Sequence, residues 1–173
     1  MRTFISIDIP EKVKIEIKKI QQNLPEFIGK FTEPENLHLT LKFLGEISDE
    51  KIKEIREKLR EINLKKFETE ADSVGVFSEK FIRIVWLHLN NCDSLQKEID
   101  EKLKDLFPKE KRFMSHLTIA RVKKIKDKQE FLKDLKNIKI LKIKFVADNF
   151  KLKSSVLTKH GPIYETLEEY PLN

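Results

Sequence analysis

The sequence predicts an α+β fold of two pseudo-symmetric lobes, and three observations carry that reading. Stretches of alternating hydrophobicity take turns with apolar stripes spaced three and four residues apart, the periods of half-buried strands and amphipathic helices. The order strand, helix, strand, helix occurs twice along the chain. One short pattern is also doubled, as His38-Leu39-Thr40-Leu41 and His116-Leu117-Thr118-Ile119. No Ser/Gly-rich linker divides the molecule, so residues 1–173 are expected to form one domain whose lobes are related by an approximate internal two-fold.

Arg2 to Ile9 alternates and is closed by Pro10, which predicts a first strand. Val13, Ile17, Ile20 and Leu24 then form one apolar stripe of a helix that Pro25 ends. A loop with Gly29 and Pro34 leads into a strand over Leu37 to Leu44, stopped by Gly45. Ser48 caps a second helix with Asp49 and Glu50 in its first turn and Ile52, Ile55, Leu59 and Ile62 buried. Phe67 to Phe77 and Ile82 to Leu89 read as scaffold strands. Asp93 with Gln96 resembles the start of a third helix, with Leu95, Ile99, Leu103 and Leu106 facing inward until Pro108. A strand over Phe113 to Val122 follows, then a basic run, a short helix opened by Asp127 and Glu130, and strands over Ile138 to Val146 and Phe150 to Leu157. Gly161-Pro162 turns the chain toward a last segment around Tyr164.

Composition narrows the function classes. Thirty-five Lys and Arg against 29 Asp and Glu give a formal charge of +6, an excess that favours polyanions such as RNA but equally fits a lysine-rich soluble surface. The single cysteine, Cys92, excludes an intramolecular disulfide and a cysteine-based zinc site, so a reducing, cytoplasmic setting is expected. The apolar run at the amino terminus is too short for a signal peptide, and no stretch reaches the roughly 20 apolar residues of a membrane span. A soluble monomer without cofactor is the expectation.

The doubled motif carries the chemistry. In a strand each His and its Thr point the same way, while the aliphatic residues between them point into a core. With seven threonines in the chain, two of four histidines followed by Thr at the second position is roughly a one-in-a-hundred coincidence. His88 and His160 lack the threonine and read as structural or surface residues. Two imidazoles facing one groove suit paired general acid and base, since the histidine pKa near 6.5 lets one be neutral while the other is protonated. That pairing fits phosphodiester cleavage, with the threonine hydroxyls donating to non-bridging phosphate oxygens. A metal site is the rival use of two histidines, but no third ligand stands at ligand spacing.

At these residues the sequence resembles the RNA 2',3'-cyclic phosphodiesterases, also called 2'-5' RNA ligases, of the two-histidine (2H) phosphoesterase superfamily. Arg2-Thr3-Phe4-Ile5-Ser6-Ile7-Asp8-Ile9-Pro10 is similar to that family's first strand, and Pro34 to Gly45 to its first signature. Ser115 to Val122 resembles the second signature, and Gly161-Pro162-Ile163-Tyr164 with Leu167 the closing segment, so the likeness spans nearly the whole chain. Ser115 stands where the family usually has proline, which should loosen the strand entry without removing a chemical group.

The resemblance implies antiparallel sheets with helices outside and the active groove between the lobes. It also implies an RNA or oligonucleotide end bearing a 2',3'-cyclic phosphate, opened by water to a 2'-phosphate, with 2'-5' ligation as a lesser activity. His38 would protonate the departing 3' oxygen and His116 would activate the water, an allocation that the sequence itself leaves open. Thr40 and Thr118 would hold the phosphate. Arg121 matches a family arginine, yet strict alternation puts it on the opposite face from His116, so a groove contact needs a bulge or the strand's end, and a plain surface arginine stands beside that reading. Lys42 is in phase with His38 and is a weaker groove candidate, whereas Phe43, out of phase, reads as core. A binding module that uses the same groove without catalysis is the alternative from another class.

Overall fold

The computed structural model describes residues 1–141 and 143–173. Among these residues the fold is α+β, with nine strands, four α-helices and one 3-10 turn, in the order β1 (Arg2–Asp8), α1 (Glu11–Gln22), β2 (Ile28–Phe31), the turn Pro34–Asn36, β3 (His38–Glu46), α2 (Asp49–Arg60), β4 (Phe67–Val76), β5 (Ile84–Leu89), α3 (Asp93–Lys102), β6 (His116–Lys124), α4 (Lys128–Lys136), β7 (Lys144–Ala147), β8 (Asn149–Thr158) and β9 (Gly161–Pro171). None of these helices is long and apolar enough to cross a membrane.

The strands form one curled antiparallel sheet in the order β7-β4-β5-β6-β3-β1-β8-β9, with β2 added against β6. Two sheets would follow from two separate lobes; here they meet along β3 and β6, where Leu39 and Leu117 are the registered pair. The halves mirror each other. In one, β1 lies between β3 and β8; in the other, β5 lies between β6 and β4. β4 and β8 are thus the outer neighbours of β5 and β1, and α1 packs against β6 while α3 packs against β3.

Local chemistry explains the elements. Ser48 caps α2 by accepting from Lys51 N at 3.4 Å, and Asp127 caps α4 by accepting from Glu130 N at 3.0 Å. At α3 the cap position is Cys92, whose side chain makes no cap bond, so Asp93 lies inside the first turn rather than before it. Val13, Ile17 and Ile20 of α1, Ile52, Ile55 and Leu59 of α2, and Leu95 and Ile99 of α3 are buried against Ile5, Ile7, Leu39, Leu87 and Leu117 of the sheet. Each such side chain contributes roughly 1.5–3 kcal/mol of transfer free energy, enough to hold helices over that face and leave the other open.

Two elements differ from expectation. Of the strand expected over Ile138–Val146, Lys144–Ala147 is paired, and Lys142 lies outside the described residues. Ile28–Phe31, expected as loop, is a strand paired with β6. It can lie there because a Cβ on Gly29 would stand 2.1 Å from the Arg121 carbonyl oxygen, a contact only glycine avoids.

Candidate active site

β3 and β6 carry the doubled motif in one geometry. Their burial alternates identically, with His and Thr partly exposed and the intervening leucine fully buried, and then breaks at two consecutive buried residues, Leu41-Lys42 and Ile119-Ala120. The cause is a bulge in each strand. Thr40 pairs with Ser6 but Lys42 with Ile5, and Thr118 pairs with Trp86 but Ala120 with Val85, so Leu41 and Ile119 are each one residue extra. The bulge reverses the phase of the residues that follow it, in β3 as far as a second register shift at Leu44.

In β6 this turns Arg121 onto the face of His116 and Thr118, which meets the condition that alternation set for a groove contact. In β3 it corrects two expectations. Lys42 points into the core at 3% exposure, where its ammonium meets Asp100 Oδ1 at 2.5 Å and donates to the Pro108 carbonyl at 2.8 Å. Phe43 is 65% exposed and lines the groove.

The groove has a volume of about 610 Å³, and His38, Thr40, His116, Thr118 and Arg121 all line it. That space suits a ligand the size of a nucleotide. Each imidazole is tethered by one device: His38 Nδ1–H donates to the Asn36 carbonyl at 2.8 Å, and His116 Nδ1–H to the Met114 carbonyl at 2.9 Å. A carbonyl only accepts, so in both rings the proton sits on Nδ1 and Nε2 is the nitrogen left to react. Aromatic rings brace both. Phe4 and Tyr164 lie 5.0 and 4.9 Å from the His38 ring, and Phe77 stands edge-on to His116 at 4.9 Å. Among the described residues neither threonine hydroxyl has a protein partner, so both are available to a ligand.

Burial pushes the His38 pKa down to about 4, outweighing the Asn36 carbonyl, which favours the charged ring. Asp8 pairs with His38 across β1 and β3, yet its carboxylate is held by Lys151 at 2.9 Å and by Lys153. Burial alone would raise the Asp8 pKa, but the hydrogen bonds from those lysines hold it below the usual carboxylate range. The negative charge nearest His38 is therefore already balanced, and the ring is neutral near pH 7.

His88 faces His116 across β5 and β6 and pairs with Asp72 at 2.6 Å, while His160 sits exposed in the turn before β9. Ser115 is buried and its carbonyl accepts from Leu89 N at 3.3 Å, so the strand entry is pinned without proline. Among the described residues no group of three or more His, Cys, Asp or Glu is arranged to hold a metal ion. Arg2, Phe31 and Phe77 carry no signal in a single sequence, because their roles depend on which strands become neighbours.

A model of the LigT-like phosphoesterase family matches residues 7–86 and 89–164, which include both His-Thr strands. The chain belongs to this family. Among LigT-like relatives, the RNA 2',3'-cyclic phosphodiesterase of Methanocaldococcus jannaschii is 41% identical over 98% of this chain and 100% of its own length. That of Thermotoga maritima is 40% identical over 98% of this chain and 94% of its own. The LigT-like fold recurs in a crystal structure from Thermus thermophilus, with a TM-score of 0.83 at 24% identity, covering 99% of this chain and 97% of that one. Escherichia coli LigT crystallised with 3'-AMP gives a TM-score of 0.79 at 24% identity, covering 99% of this chain and 98% of that one.

Proposed function

We propose that this protein opens RNA ends carrying a 2',3'-cyclic phosphate to 2'-phosphomonoesters by general acid-base catalysis without a metal or cofactor. The observation that carries this reading is the pair of imidazoles, each tethered through Nδ1 and each beside a threonine, on one groove with Arg121. The relatives' activity supports the same substrate class.

The cyclic phosphate lies between the two rings. Thr40 and Thr118 donate to its non-bridging oxygens, and Arg121 balances the charge that builds as phosphorus gains a fifth ligand. His116 Nε2 takes a proton from water, the water oxygen bonds to phosphorus, the bond from phosphorus to O3' breaks, and His38 Nε2–H gives its proton to O3'. Replacing water by a 5'-hydroxyl yields a 2'-5' linkage instead, the lesser activity. Phe31 and Phe43, exposed on the groove wall, offer a base a stacking face. We assign the chain as a monomeric, cytoplasmic protein of one two-lobed domain acting on RNA, with Cys92 buried away from redox chemistry.

A neutral His38 is not yet an acid. The bound phosphodiester is an anion beside the ring, which favours its charged form, so His38 takes up a proton as substrate binds. One observation favours exchanged roles: with its pKa near 4 in the open groove, His38 is ready as a base. Incubation with an RNA oligomer ending in 2',3'-cyclic phosphate, with EDTA present, tests the proposal. A 2'-phosphate product is expected; a 3'-phosphate product means that O2' leaves, and no product overturns the assignment.

A further inference from the structure

Beyond the two histidines, a row of polar groups crosses the groove at the β1 end. Arg2 pairs with Ser155 of β8, and Ser155 pairs with Tyr164 of β9. Residues directly opposite on antiparallel strands share a face with Cβ atoms about 5 Å apart, and all three line the groove.

The charges around this row are unevenly satisfied. Three cations and one carboxylate line the groove: Arg2, Lys30 and Arg121 against Glu33. Glu33 is taken by Lys30 at 3.6 Å and by Asn36 at 3.3 Å, and Glu46, opposite Arg2 on β3, is taken by the Met1 ammonium at 3.2 Å. Among the described residues Arg2 has no acidic partner. Burial raises the Tyr164 phenol pKa, and the charges of Arg121 and Arg2 both act against that rise, so its hydroxyl stands within the field of two guanidiniums.

Position then decides what the row receives. Arg2 lies two residues, about 7 Å, further along β1 than Phe4, and the Phe4 ring touches His38 at 5.0 Å. Tyr164, whose ring lies 4.9 Å from that of His38, is the near end of the row, and the offset of Arg2 at its far end is the scale of one nucleoside. A terminal nucleotide whose 2' and 3' oxygens are held at the histidines has one further phosphate position, on O5'. We propose that Arg2, Ser155 and Tyr164 form a second phosphate subsite that binds the phosphate on O5' of the nucleoside being processed. This rests on the phosphodiesterase reading. The ligand chemistry is a phosphate anion, either the internucleotide diester of an RNA chain or the 5'-monophosphate of a single nucleotide.

The test is kcat/KM on three substrates: a nucleoside 2',3'-cyclic phosphate, the same molecule with a 5'-phosphate, and a dinucleotide ending in the cyclic phosphate. The wild type is expected to prefer at least one phosphorylated substrate by about tenfold, mostly through KM, as one charge-assisted phosphate contact allows. Preference for the dinucleotide alone assigns the subsite to the RNA backbone; preference extending to the mononucleotide assigns it to any 5'-phosphate. Arg2→Gln should bring that ratio close to one, Arg2→Lys should keep part of it, and Tyr164→Phe, which retains the ring against His38, should lower it. A wild-type ratio near one, or a ratio that Arg2→Gln leaves intact, overturns the subsite. If the wild type cleaves none of the three, the phosphodiesterase reading fails instead. The subsite is then judged by calorimetric affinity for the same substrates, with the same tenfold ratio expected and equal affinities overturning it.

Discussion

Phe43 and Arg121 occupy equivalent places in two strands: each follows a buried pair, Leu41-Lys42 or Ile119-Ala120, and each is turned onto the groove by the bulge before it. One half of the groove thereby presents an aromatic face where the other presents a cation. Arg121→Gln is expected to lower kcat/KM about 100-fold, the scale for removing one donor to a charge-developing oxygen. Phe43→Ala should raise KM about tenfold for substrates whose base stacks there. Its exposure predicts unchanged thermal stability. Steady-state kinetics with a thermal melt of each variant checks both.

The bulge in β6 has its own supports. The Ile119 carbonyl accepts from Thr32 N at 3.0 Å and from Gln21 Nε2 at 2.9 Å, and Gly29 lets β2 lie against Arg121. Gly29→Ala drives a methyl into the Arg121 carbonyl and should cost about 3 kcal/mol, lowering Tm by roughly 10 °C. Urea unfolding of this variant beside Gln21→Leu measures how much of the β2 attachment each contact holds.

Lys42 and Asp100 make a buried pair, with Asp100 also accepting from Gln96 and from Glu110 N. Lys42→Met leaves that carboxylate without its cation and should destabilise by about 3–5 kcal/mol. The double variant Lys42→Met/Asp100→Leu should recover part of the loss. Equilibrium unfolding of the two single variants and the double gives the coupling energy. A value near zero would mean that the pair does not act as a unit.

His38 links pH to stability. Its folded pKa, about 4, lies below the unfolded value near 6.5, so the unfolded chain takes up the proton first. The contribution is complete above about pH 6.5 and is lost as pH falls toward 4, up to about 3 kcal/mol. Urea unfolding from pH 7 to 4 should therefore show a steeper loss for the wild type than for His38→Asn. Equal slopes would place the ring in a more hydrated setting than its burial indicates.

The sequence made the histidines and threonines legible because period two alone puts them on one face. The bulges were half legible. Ile119-Ala120 shows a doubled apolar pair, but in β3 the second member is a lysine, and alternation then sends Lys42 to the groove and Phe43 to the core. What reverses this is Asp100, 58 residues away, which neutralises the buried ammonium. β2 escapes for a similar reason: its four residues are exposed and include Gly29, so no apolar period marks them, and its pairing depends on the Arg121 backbone. Helix ends were clearest where a side-chain cap forms, at Ser48 and Asp127.

The paired acid-base claim is tested most directly by turnover of His38→Ala and His116→Ala on RNA ends whose cyclic phosphate carries either oxygen or sulfur at the 3' bridging position. A thiolate leaves without being protonated, so the loss of a general acid is rescued by sulfur and the loss of a general base is not. The account predicts that both variants lose at least about 1,000-fold on the oxygen substrate and that sulfur restores His38→Ala alone. Rescue of His116→Ala instead would exchange the two roles, and near-normal turnover of either variant on the oxygen substrate would contradict the paired mechanism.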